Sequence, residues 1–140
     1  MKRQPTEAKQ AMKETVQRHI ADMQAARTAK GEDNPRVQDL IRKFKSGQKL
    51  APNEMDYLRR NAPGMVEEVE RVSREREALE HVMRSAPSKL DVQMAVTHAA
   101  KRISSRPMSE ADVVLTRHFT NAQYEYMKTD EYKDKPVDPA

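Results

Sequence analysis

The chain has no cysteine, no tryptophan, only two phenylalanines and only three glycines. Each shortage excludes something. Without cysteine there are no disulfides, no thiolate metal sites and no cysteine nucleophile. A cysteine-free composition also suits a reducing compartment, and the expected location is the cytoplasm. With three glycines no glycine-rich phosphate loop can be built, and no Walker, Rossmann or nucleophile-elbow motif is present. Aromatics are 4 % of the residues. They bury the most area per side chain, so the core must be thin. No apolar run approaches the roughly 18–20 residues that span a bilayer. The start, Met1-Lys2-Arg3-Gln4-Pro5, is basic, but no apolar stretch follows it, so it does not read as a secretory signal.

Charge and methionine fill the gap. Charged residues are 34 % of the 140 and the hydrophobic set 36 %, with nine methionines. A globular domain is usually about 25 % charged and 45–50 % apolar. Methionine is flexible and fills irregular gaps and adaptable interfaces. A thin core with long helices points to help from a partner or from self-association. Residues 1–60 hold 14 Lys/Arg and 8 Asp/Glu, and residues 61–140 hold 12 and 14, so the first part is net +6 and the second −2. Such asymmetry fits either a basic surface for nucleic acid or an acidic partner, or simply solvated helix faces.

The helix breakers lie in narrow seams: Gly31 to Pro35, Gly47 to Pro52, Pro63-Gly64, Pro87 and Pro107. Between them run strong helix formers with apolar residues at helical spacing. The reading is an all-α protein, a small bundle of about six helices, with an N-terminal helical arm over 1–30, a core over 34–128 and a disordered tail over 129–140. The first helix starts near Pro5, where a missing N–H costs nothing, and stops at Gly31. Ala8, Met12, Val16, Ile20 and Met23 share one of its faces. Asn34-Pro35 restarts the chain, and Val37, Leu40, Ile41 and Phe44 form a buried face. Leu50 is expected to plug the next turn, and Pro52 to open a short helix. The fourth helix repeats Met65, Val69, Val72, Leu79 and Met83 in steps of three and four, with Arg76 in the seam. Ser88 to Asp91 and Ser109 to Asp112 read as capping boxes with aspartate in the Glu/Gln place. They open helices carrying Leu90, Val92, Ala95, Val96, Ala99 and Ile103, then Val114, Leu115, Phe119, Ala122 and Tyr126. Leu79, Val72, Phe119, Leu115 and Val96 are expected to be buried together. The Asp-, Lys- and Pro-rich end from Thr129 reads as disordered.

Candidate chemistry is sparse. His19, His81, His98 and His118 each stand on a different helix, with no paired ligands at metal spacing. The residues three before them are Val16, Ala78, Ala95 and Leu115, so the Glu-x-x-His signature of di-iron bundles is absent. Neither a cofactor nor a metal is expected, and the carboxylates alternate with Arg and Lys on solvated faces instead of lining a cleft. Two surfaces remain. The first is the stripe Met12, Val16, Ile20 and Met23, a helix face suited to a partner groove or to self-pairing as a dimer or larger oligomer. It lacks the Trp, Phe or Leu of a membrane-surface helix, so no membrane partner is expected. The second is the basic cluster Arg42, Lys43, Lys45, Lys49, Arg59 and Arg60. A helix-turn-helix reading of this segment fails: its second helix would present Glu54 and Asp56 to a phosphate-lined groove. Phosphate contact without sequence reading needs only cations in a row. The expectation is therefore a non-enzymatic protein–protein interaction module, an adaptor, accessory or assembly subunit. The alternative is a nucleic-acid-associated protein that uses its basic N-terminal half.

Overall fold

The computed structural model describes residues 5–31, 33–105 and 107–139, and within the first helix the side chains of residues 9–23. The expected contributions of residues 1–4, Glu32, the Ala8 side chain, Arg106 and Ala140 lie outside the described residues.

Every element among the described residues is a helix: α1 (Pro5–Lys30), α2 (Pro35–Lys45), α3 (Pro52–Asn61), α4 (Pro63–Ser85), α5 (Lys89–Ser104), α6 (Glu110–Met127) and the single turn α7 (Asp130–Lys133). The expected all-α class, bundle packing and long first helix are all present. No helix among the described residues is long and apolar enough to cross a membrane.

The ends sit where the sequence chemistry puts them. The Asn34 carboxamide accepts the Arg36 and Val37 N–H groups at 3.0 and 3.2 Å, with Pro35 opening α2. This satisfies donors that no helical carbonyl can reach. Ser109 and Asp112 cap α6 reciprocally, at 3.2 and 3.1 Å. Ser88 accepts the Asp91 N–H at 3.1 Å at the start of α5. Ala51 has no side-chain acceptor to offer α3, so Glu54 reaches back alone to the Ala51 N–H at 2.8 Å. Two glycines have no substitute. Gly31 takes φ +68° against Val37, and Gly47 takes φ +105°, where a Cβ would stand 2.7 Å from the Arg117 carbonyl oxygen. A side chain there would be strained by its backbone and blocked by its neighbour.

α4 is the hub. It packs on α5, α6 and α3, while α2 bridges α3 and α6. Its buried residues are Val69, Val72, Arg76, Leu79 and Met83, in the expected three–four rhythm. Leu79, Val72, Phe119 and Leu115 are buried as expected, and Val96 is half-buried against them. Leu90 is exposed, not part of the core. It lies in the first turn of α5, where its N–H is taken by the Val137 carbonyl at 3.0 Å.

That bond marks the main correction. The tail expected to be disordered from 129 folds back onto the bundle. Thr129 caps α7, and Tyr132 is buried edge-on to Tyr126 with ring centroids 5.9 Å apart. The Pro136 carbonyl accepts the Lys89 N–H at 2.8 Å, and the Lys135 ammonium donates to the Arg84 and Ala86 carbonyls. One short strap thus serves the open end of α4 and the open start of α5, which need partners. A polar composition concealed this, because the strap is held by backbone groups, the Lys135 ammonium and one tyrosine. The last described residues, Val137 to Pro139, are exposed and outside any helix.

Candidate interaction surfaces

α1 is 26 residues long, about 39 Å at 1.5 Å per residue. It borders α3 and α4, yet every side chain from Lys9 to Met23 is exposed. Met12 is 70 % exposed, Val16 54 %, Ile20 48 % and Met23 54 %. At about 100° per residue these four share one face, Lys9 falls on the same line, and Lys13 stands beside it. Glu14 and Asp22 turn more than about 90° away. The stripe is therefore an uncovered apolar face edged by cations.

The basic cluster does not form one surface. Lys43 reaches Glu54 at 2.9 Å, Lys49 reaches Glu80 at 3.0 Å, and Arg59 meets Asp56 at 2.8 Å and Glu70 at 3.3 Å. Arg42 pairs with Asp39 and Lys45 with Glu110, both at 3.0 Å. Arg60 donates to the Asp56 carbonyl at 3.4 Å. Most of these carboxylates come from other helices, so linear sequence could not reveal them. Glu54 is the clearest case. The Ala51 N–H, then Lys43, holds its carboxyl below the usual range.

The cations also divide between two cavities. Lys49 and Arg59 line one of about 630 Å³ between the α2–α3 turn, α3 and α4. Its wall alternates sign, with Asp56, Glu70 and Glu77 among Arg74 and Arg76. Arg42 and Lys45 line a second, of about 620 Å³, against Val37, Ile41, Met65 and Arg117.

Behind the first cavity lies a polar cluster that the sequence reading missed. Arg76 is 3 % exposed and His118 is fully buried. One Arg76 terminal nitrogen donates to the Gly47 carbonyl at 2.7 Å and lies 3.1 Å from His118 Nδ1. The other donates to Asn121 Oδ1 at 2.8 Å. His118 Nε2 is 2.7 Å from the Phe44 carbonyl oxygen. A carbonyl can only accept, so Nε2 carries the proton and Nδ1 accepts from Arg76. Burial, with the Arg76 charge beside it, pushes the imidazole pKa down to about 4, against the Phe44 carbonyl that favours the charged form. The ring is thus neutral at physiological pH. Burial likewise lowers the Arg76 pKa, opposed by Glu80, whose carboxylate stands 3.7 Å from Nε. That Nε–H is buried and makes no hydrogen bond.

This cluster pins the α2–α3 turn onto α4 and α6. Both ring nitrogens of His118 are taken, Nδ1 by Arg76 and Nε2 by the Phe44 carbonyl. Two sequence signals could have found it: an arginine in an otherwise apolar seam, and a histidine among Val114, Leu115, Phe119 and Ala122. Among the described residues, no three His, Asp or Glu side chains converge as metal ligands. No protein-family model, curated protein or solved structure matches this chain.

Proposed function

We propose that the protein is a non-enzymatic helical interaction module, an adaptor, accessory or assembly subunit, that engages a protein partner or a second copy of itself through α1. The observation that supports this is the stripe of Met12, Val16, Ile20 and Met23, each 48–70 % exposed on one face of a long helix. A soluble chain gains about 25 cal/mol for each Å² of apolar area it covers. Methionine and branched side chains at helical spacing suit a groove or a second helix. The cytoplasm is the setting this proposal assumes, since a cysteine-free chain suits a reducing compartment.

Phosphate binding by the basic half has less support, because Lys43 and Lys49 sit against the largely buried Glu54 and Glu80, and Arg59 is shared between Asp56 and Glu70. A surface that has spent its charge internally releases few counterions from nucleic acid.

The deciding experiment compares the full chain, a chain lacking residues 1–30, and a full-length Val16→Asp/Ile20→Asp variant. Light scattering reads self-association, and affinity capture with the full chain as bait reads partners. The expected result is a folded remainder that loses association, with the double variant failing in the same way. Unchanged mass and unchanged captured partners in all three would remove α1 from the interface. A salt-sensitive submicromolar complex with mixed oligonucleotides would move the function to the nucleic-acid reading.

A further inference from the structure

The two cavities are similar in size and opposite in character. The first interleaves acidic and basic side chains and so prefers neither sign of ligand. The second has Arg42, Lys45 and Arg117 on its rim and Val37, Ile41 and Met65 beneath, and among the described residues no carboxylate lines it. Its volume of about 620 Å³ lies within the roughly 300–1,000 Å³ of small-molecule sites. We infer that this groove between α2, the start of α4 and α6 binds an aliphatic carboxylate, with the chain on the apolar floor and the carboxylate held by the three cations.

Each cation is positioned for this. Arg117 donates one terminal N–H to the Lys45 carbonyl at 3.1 Å, which ties it to the lip, and no carboxylate among the described residues pairs with it. Its backbone packs on Gly47 too closely to admit a Cβ, so the lip is fixed. The partners of the other two are loosely held. Arg42 and Asp39 are 75 % and 71 % exposed, and Lys45 and Glu110 are 43 % and 80 % exposed. Exposed pairs of this kind contribute little, so a carboxylate ligand can replace those partners at small cost. Two arginines add planar donors that match a carboxylate. The floor pairs a buried valine with half-buried Ile41 and Met65, and methionine adapts to a flexible chain. None of this uses a side chain of α1, so the inference stands apart from the interaction reading.

The test is titration of the full chain with decanoate, followed by calorimetry and by the methyl resonances of Ile41 and Met65. A ligand of this size is expected to bind with a Kd on the order of 0.1 mM. Decanol, which lacks the charge, and acetate, which lacks the chain, should each bind at least tenfold more weakly. Arg117→Gln/Lys45→Gln should weaken decanoate at least tenfold with an unchanged melting temperature, because both residues are at the surface. Absence of binding would overturn the inference. So would equal binding of decanol, an unaffected double variant, or methyl shifts that bypass Ile41 and Met65.

Discussion

α1 and α4 are the two longest helices, 26 and 23 residues, and both carry an apolar stripe at steps of three and four. The stripe of α4 contains an arginine and is buried. The stripe of α1 holds only apolar side chains between Met12 and Met23 and is exposed. Periodicity therefore identifies the adhesive face of a helix without saying what covers it. What covers α4 is a set of neighbours that also solves its polar problem: the Gly47 carbonyl, His118 and Asn121 receive Arg76. What α1 lacks is such a set within its own described domain. A helix of its composition is marginal alone in water, and its stripe contributes burial only when something else supplies the second surface.

The sharpest way to break the contrast is Arg76→Ala. It strips the Gly47 carbonyl, His118 Nδ1 and the Asn121 carboxamide of a shared donor inside the fold. Breaking a buried charged network of this kind costs about 3–5 kcal/mol, readable by urea denaturation. A change under about 1 kcal/mol would show that water replaces the guanidinium. Leu79→Ala on the same helix should cost about 2–5 kcal/mol as cavity and lost transfer energy. An unchanged melting temperature there would mean that the α4 core face is wrongly placed.

Acid gives a graded version of the same test. The folded His118 pKa of about 4 lies below the ordinary value of 6.5. Between those values the unfolded chain binds a proton that the folded chain refuses, so acid favours unfolding. The stability from neutral His118 is complete above about pH 6.5 and is lost as pH falls to about 4, to a total of about 3 kcal/mol. Glu54, held low by Ala51 and Lys43, adds its own loss only below its ordinary value of 4.5. Urea midpoints at pH 7, 5.5 and 4 separate the two groups. A flat profile from pH 7 to 5 would mean that His118 is accessible to protons in the folded state.

The smallest stability effect belongs to α1. Val16→Ser/Ile20→Ser should change the stability of the monomer by less than about 0.5 kcal/mol, since exposed positions contribute little. The same pair of changes should weaken association at least tenfold if the stripe is a contact surface. Loss of stability near that of Leu79→Ala would place the stripe in the core and erase the contrast.

What sequence could and could not reveal follows the same line. Prolines, glycines and the Ser–Asp caps located most helix ends, because those signals act within a few residues. Val69, Val72, Leu79 and Met83 were legible because a period of 3.6 is local. The strap was not: the carbonyls of Pro136 and Val137 act on Lys89 and Leu90, each 47 positions earlier. The partners of Lys43, Lys45, Lys49 and Arg59 were hidden for the same reason. His118 stands alone on its helix in the sequence, and only the packing of α2 brings the Phe44 carbonyl to it.

The Arg76 cluster also imposes an order on synthesis. It joins Gly47 to Arg76 across 29 positions, Arg76 to His118 across 42, and Phe44 to His118 across 74. A ribosome delivers these groups one after another, N-terminal first. When α4 has emerged, its seam contains a charge, and the histidine and asparagine that receive it have not yet been made. Burial of that seam must wait for α6, so a nascent chain ending before Asn121 has no settled place for its central helix. The requirement that makes the α2–α3 turn rigid in the finished molecule thus makes the growing chain dependent on its later half. Lengthening ribosome-bound chains should gain protease resistance in a single late step, once Asn121 has cleared the exit tunnel.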